Sequence, residues 1–351
     1  MAAYPATSMV ESNGFITFPR LSKTLRVNAQ PMMRLKQFAR SEPAIGAEGG
    51  ETVNYSKLGN LADEYATTPL SENNPIRETS ISVRQGTLTV QEWGIAVPYT
   101  RKVEELADFK PGNIYQIALK NHMAKTINYR CYVALTSTWC KYTATGTDSS
   151  PTATIAGDGV STTVARKLQG WDIRNAKKFL VDQCNAPGIN SNASDGPDFE
   201  FAFIAGETVM MTLMEDATVN TGIAASQNAA YMGKGEQSPL LSGRLGTYVG
   251  VLFVKDNQAF APVVGAANHA GEAVMIAYDS LILKTSVLPG IVSKTPTDYG
   301  RSRGVAWYGI FEADLPWGDN TDDIPSAQLS THAIKATATG LQIRCIHFTG
   351  S

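Results

Sequence analysis

Residues 51 to 99 constrain this chain most, because they alternate at strand period without supplying enough apolar surface for a core of their own. Val53 and Tyr55 share one side of a first run, and a turn-rich stretch with Gly59, Pro69, Asn73, Asn74 and Pro75 follows. Ile81 and Val83, then Leu88 and Val90, then Ile95, Val97 and Tyr99 resume the alternation, with Gln85 and Gly86 reading as a turn or bulge. The pattern describes a long, threonine-rich β-ribbon. An isolated two-stranded ribbon is marginal in water, so this one is expected to lie on another surface, such as a second copy of the chain.

The rest of the chain is long enough to supply a core. Its 351 residues correspond to two lobes at roughly 150 residues per domain. Charged residues make up 18%, below the roughly 25% of an ordinary soluble surface, which suggests that part of the surface is covered. The net charge of -2 provides no global field toward nucleic acid or membranes. Locally, residues 1 to 45 carry Arg20, Lys23, Arg26, Arg34, Lys36 and Arg40 against Glu11 and Glu42, a net +4. Residues 46 to 75 carry Glu48, Glu51, Asp63, Glu64 and Glu72 against Lys57, a net -4. A basic arm followed by an acidic loop suits contacts between identical chains, although chance bias in two solvated segments gives the same pattern.

In the arm, Pro31 opens a short helix with Met32, Leu35, Phe38 and Ala39 at helical spacing. After the ribbon, Pro111 and Gly112 break the chain and Asn113 with Gln116 makes a capping pair. Ile114, Ile117, Ala118, Ala124, Ile127, Cys131 and Ala134 then predict a helix of about 24 residues, roughly 36 Å long. Residues 141 to 165 are rich in Thr, Ser and Gly with little periodicity, and the boundary between lobes is placed there. Gly170 and Asp172 precede a second helix with Ile173, Ala176, Phe179, Leu180 and Cys184 as its stripe. Phe199, Phe201 and Phe203 alternate as a strand, and a short helix with Val209, Met210, Met211, Leu213 and Met214 follows, its methionines read as core filler. Strand-like runs are predicted at 247 to 254, 273 to 283, 304 to 311 and 341 to 348.

No constellation for chemistry stands out. HExxH, GxSxG and GxxxxGK[ST] are absent. His122, His269, His332 and His347 are scattered singly, without metal-ligand spacing. Cys131, Cys140, Cys184 and Cys345 form no CxxC pair and are expected to be reduced core thiols. No apolar run has the length of a membrane span, and the expected site of synthesis is a cytoplasm. The chain is expected to be no enzyme, with no cofactor and no metal.

The order of elements resembles the major capsid proteins of tailed bacteriophages, with their Hong Kong 97-like fold. GGETVNYSKLGNLADEYATTPLSENN (49 to 74) with TLTVQEWGIAVPYTRKVEELADF (87 to 109) is similar to the extended loop of that family. FEFAFIAGETVMMTLMED (199 to 216) and GRLGTYVGVLFVKDN (243 to 257) resemble units of its axial lobe, and GRSRGVAWYGIFEADLP (300 to 316) its returning strand. The resemblance implies an α+β fold with an N-terminal arm at 1–48, an extended β-ribbon loop at 49–101 and a peripheral domain with a spine helix at 102–145. An axial domain at 146–300 and return strands with the C-terminus at 301–351 complete it. It further implies hexamers and pentamers tiling an icosahedral head shell around double-stranded DNA, with scaffold, cement and portal proteins as further partners. Localisation would be the virion capsid, after assembly from the host cytoplasm. Candidate inter-subunit contacts are Arg34, Lys36, Arg40, Tyr55, Glu64, Ile81, Val83, Leu88, Val90 and Trp93. Some members join subunits by a lysine-to-asparagine link, for which Lys57 is the only lysine in the loop, and no catalytic residue is carried over. The basic arm implies weak, salt-sensitive and sequence-independent DNA contact. The alternative is another virion component, a tail or decoration protein.

Overall fold

The computed structural model describes residues 33–42, 52–61, 76, 81–106, 111–156, 166–184, 186–189, 200–232, 244–256, 260, 271–318 and 343–349. A 3₁₀ turn at Leu35–Phe38 leads into β1 (Arg40–Glu42), and the ribbon is β2 (Thr52–Leu61) with β3 (Ile81–Thr89). β4 (Gln91–Thr100), α1 (Arg101–Leu106) and α2 (Pro111–Thr136) follow, then the hairpin of β5 (Lys141–Thr147) and β6 (Ser150–Ala156). α3 (Gly170–Lys178) runs into a π-helical turn at Phe179–Gln183, and β7 (Phe201–Ala205), α4 (Glu207–Met214) and α5 (Ala217–Met232) come next. β8 (Arg244–Tyr248), β9 (Val251–Lys255), β10 (Ala273–Ile276), β11 (Ile282–Ser293), β12 (Ser302–Asp314) and β13 (Cys345–Phe348) complete the described elements.

The strands form a seven-stranded sheet in the order β6-β5-β13-β10-β7-β9-β8, a four-stranded sheet β1-β11-β12-β4, and the two-stranded ribbon. β7, β10 and β13 are buried along their whole length, as strands covered on both faces must be. Phe201 and Phe203, with Val251, Phe253, Met275 and Phe348, face a core closed by Ile173, Leu180, Met210, Leu213 and Val219 of the α3–α5 layer. The alternate residues Ala202, Ile204, Leu252, Val254, Val274 and Ile276 face a second core. α2 fills that second core with Leu119, Ile127, Cys131, Ala134 and Leu135, and β12 closes it with Val305, Trp307, Phe311 and Ala313. The long helix is thus held between the large and small sheets.

α2 has 26 residues, about 39 Å, and starts at Pro111. A proline without an N–H suits the first helical position, which is why the helix begins two residues before the predicted cap. Ile117 and Ala118, predicted on its buried face, are exposed, and Leu119 is buried instead. Burial in the N-terminal half follows the small sheet rather than the sequence stripe.

Three other expectations are corrected, and a passage read only for its composition is structured. Gln85 and Gly86 make no turn: β3 runs straight through them, with Tyr55 opposite Gly86. The Thr/Ser/Gly passage holds the β5–β6 hairpin, whose β6 is an edge of the large sheet. The 247 to 254 run is the second part of a β8–β9 hairpin, turning at Val249 (φ 51°) and Gly250 (φ 72°). The 273 to 283 run is two strands of different sheets, separated at Asp279 (φ 56°). Helix α5 was not anticipated at all.

Candidate inter-subunit surfaces

The ribbon has an inward and an outward face with different chemistry. On the inward face, the Tyr55 ring lies across Gly86, where a Cβ would come within 2.3 Å of it. The Tyr55 hydroxyl donates to Asp314 Oδ2 (3.1 Å) and reaches the Leu315 carbonyl (3.4 Å). Lys57 is buried there with its ammonium 5.9 Å from the Trp317 ring, on whose face Arg344 also stacks at 4.5 Å. Leu88 and Val90 are 5% and 6% exposed within their own chain. Trp93 donates its indole N–H to the Phe311 carbonyl (3.1 Å) under the Arg130 guanidinium, which pairs with Glu312 at 2.8 Å. On the outward face, Leu58 and Val83 are cross-strand partners and are 61% and 62% exposed. Two aliphatic side chains held side by side in water are the kind of surface that a further chain covers.

The other candidates divide the same way. Arg34 donates to the Lys255 carbonyl, and Arg40 pairs with Asp279 at 3.3 Å, while Lys36 is exposed. β1 adds in parallel to β11, and Leu35, fully buried, donates its N–H to Asn128 Oδ1 of α2 (3.0 Å). The arm segment is therefore seated on its own molecule. Ile81 lies in β3 opposite Leu61, and Glu64 lies outside the described residues.

Sequence reasoning missed a second apolar surface, the outer face of the small sheet. β11 slips register twice against β12, between Thr285 and Val287 and between Val287 and Gly290. The second bulge pushes out Leu288, 79% exposed, beside the exposed Val287, while Val292 and Tyr308 are exposed farther along the same two strands. Gly309 is required opposite this bulge, since a Cβ there would stand 2.8 Å from Pro289. The β11–β12 hairpin ends in Asp298, Tyr299 and Gly300, all at positive φ, with Tyr299 fully exposed. Alternation alone does not reveal bulges, so this face had no legible signal.

The buried polar groups are structural in geometry. Arg166 and Asp172 form a bidentate pair at 2.6 Å, and Tyr142 (2.9 Å) and the Gln169 N–H (2.9 Å) also donate to Asp172. The remaining Arg166 donors meet the carbonyls of Thr145, Lys167 and Thr152. The buried His347 Nδ1 stands 3.0 Å from Lys141 Nζ, which also donates to the Thr136 carbonyl (2.6 Å). Burial first, then the Lys141 charge, pushes His347 down to about 3. All four cysteines are free and buried, and burial raises the Cys131 and Cys345 thiols to about 12. Among the described residues no group of three or more His, Cys, Asp or Glu is placed to hold a metal ion. None of the described helices is long and apolar enough to cross a membrane.

The His347 environment sets a pH dependence. The unfolded chain takes up a proton near pH 6.5, while the folded chain resists until about 3. Stability is therefore full above pH 6.5 and falls by about 1.4 kcal/mol per unit as the pH drops below it. Denaturant titrations at pH 7.5 and 5 should show this loss in the parent and a smaller one in His347→Gln; equal losses would refute the assignment.

No protein-family profile matches the sequence, and no curated protein matches it. Solved structures do match along nearly the whole chain. The capsid of Ralstonia phage GP4 is 13% identical with a TM-score of 0.64, covering 97% of this chain and 99% of its own. The cyanophage Pam1 capsid is 12% identical with a TM-score of 0.65, covering 95% and 97%. The head of Helicobacter pylori bacteriophage KHP40 is 7% identical with a TM-score of 0.59, covering 95% of each chain. With both lengths matched end to end and the helix clasped between two sheets, the chain has the fold of phage capsid proteins.

Proposed function

We propose that this chain is the major capsid protein of a tailed bacteriophage, a structural and non-catalytic subunit that assembles as hexamers and pentamers into the icosahedral head shell. The observation that carries this reading is the ribbon: its inward face is bound to its own molecule through Tyr55 and Asp314, while the Leu58–Val83 pair of its outward face is left in water. Near full-length correspondence to capsid chains supports it. In a shell, this outward face lies against a neighbouring copy and removes from water what one molecule cannot cover. Stable interfaces of about 1,200 to 2,000 Å² repeat around each closed ring, so modest contacts become collectively strong. Among the described residues β6 and β8 end the large sheet, and their edges are further places where a neighbour or a cement protein adds a strand. In this reading the arm, loop, peripheral and axial parts keep the boundaries stated above, scaffold and portal proteins join during assembly, and the host cytoplasm precedes the virion.

The test is assembly. Purified parent protein should form shells or capsomers by sedimentation and electron microscopy. Leu58→Ser with Val83→Ser should abolish them while changing subunit stability by less than about 0.5 kcal/mol, because exposed side chains contribute little to the fold. Particles of normal yield from the double variant, or tubes from the parent, would count against the reading.

A further inference from the structure

Asp279 occupies the turn, at φ 56°, where the chain leaves β10 of the large sheet for β11 of the small one. Its two carboxylate oxygens hold different parts of the molecule. Oδ1 accepts from Arg40 at 3.3 Å, at the start of the arm strand β1, and Oδ2 accepts from Arg344 at 3.0 Å, next to β13. Arg344 also lays its guanidinium on the Trp317 ring at 4.5 Å, and the Lys57 ammonium of the ribbon stands 5.9 Å from the same ring. Arg40, Asp279, Arg344, Trp317 and Lys57 thus follow one another in contact from the arm to the ribbon, through the junction of the two sheets.

The links differ in strength. The Arg40 side chain is 60% exposed, so its ion pair alone contributes little to stability. Arg344 and Asp279 are 22% and 14% exposed; burial disfavours the charged guanidinium, and Asp279 offsets part of that penalty. A planar guanidinium gripped by a carboxylate on one side is held flat on an aromatic ring, where the cation–π attraction adds to the packing. At the ribbon end Lys57 is 3% exposed, with its ammonium 5.7 Å from the Tyr55 ring as well. A cation buried that deeply follows the ring it packs on.

We infer that Arg344 and Trp317 are positioning residues that couple the seat of the arm to the seat of the ribbon, so that freeing either segment loosens the other. Loss of the Asp279 charge lets Arg344 turn toward water and leaves the Trp317 ring without its support. Loss of the ring deprives Arg344 of its platform and weakens its hold on Asp279, and with it the site that receives Arg40. The coupling belongs to the single subunit; its consequence for a shell rests on the capsid reading, in which a neighbour's contact with one segment is felt by the other.

Hydrogen exchange on the full-length subunit in dilute solution tests the coupling at a distance. Asp279→Asn alters a residue bonded to the arm, and should speed exchange of the β2–β3 amides by about 3- to 10-fold. Trp317→Leu alters a residue against the ribbon, and should speed exchange at Arg40–Glu42 by a similar factor. Arg344→Met should do both, while the β7 amides at the centre of the large sheet stay at the parent's rate. Should Trp317→Leu fail to fold, Lys57→Met takes its place with the same expected effect on the arm. Faster exchange confined to the segment next to each substitution would overturn the inference. Equal acceleration in β7 would overturn it too, by showing a general loss of stability instead. Particle formation by the parent is read separately: coupled exchange without any shells would strike the capsid reading and leave the coupling standing.

Discussion

Ending the chain before Arg344 should leave no cooperatively folded protein. Such a truncation removes β13, which stands between β5 and β10 in the seven-stranded sheet. Cys345, Ile346 and Phe348 are buried, Phe348 packing at 5.3 Å from Phe203 and 4.7 Å from Tyr142 by ring centroid. Without β13 the β5–β6 hairpin has no strand to join, and β10 becomes an open edge. Ile346→Ala and Phe348→Ala keep the strand and should each cost about 2 to 5 kcal/mol by cavity formation. Circular dichroism and denaturant unfolding check both, and a soluble truncated chain with a sharp transition would contradict the central role of this strand.

Asp172→Ala should destabilise the subunit by about 3 to 5 kcal/mol, because it leaves the buried Arg166 guanidinium without its counter-charge. The pair is 2% and 0% exposed and joins the β5–β6 hairpin to the start of α3. Removing both charges, Arg166→Met with Asp172→Leu, should cost less than the two single losses added together, since neither charge is then stranded. A single variant within 1 kcal/mol of the parent would show that the site relaxes or admits water.

Much of the fold was legible. Pro111-Gly112 followed by apolar residues at three and four spacings located α2, and the alternating phenylalanines located β7. The hairpin at 141 to 156 was not, because Thr143 and Ala144, buried on opposite faces of β5, differ too little in hydrophobicity from the exposed threonines of β6. α5 escaped for a related reason: among its described side chains Val219 and Ile223, four apart, mark the buried side. β13 lies inside the predicted 341 to 348 run, but four residues of continuous burial show no period, so its central place in the large sheet was not legible. For the candidate surfaces, alternation placed Val83, Leu88 and Val90 in one ribbon, but without the expected turn or bulge at Gln85-Gly86 Val83 falls on the outward face and Leu88 and Val90 on the inward one. The anchored side is marked by Tyr55 reaching Asp314, which is 259 positions away.

The position of β13 also dictates a timetable. Its partners β5 and β10 come from residues 141–147 and 273–276, and the Lys141–His347 contact spans 206 positions. Closing so large a loop is slow, and strands left waiting are prone to pair with the wrong molecule. The large sheet is therefore completed last, and β5 and β10 keep open edges until β13 arrives between them.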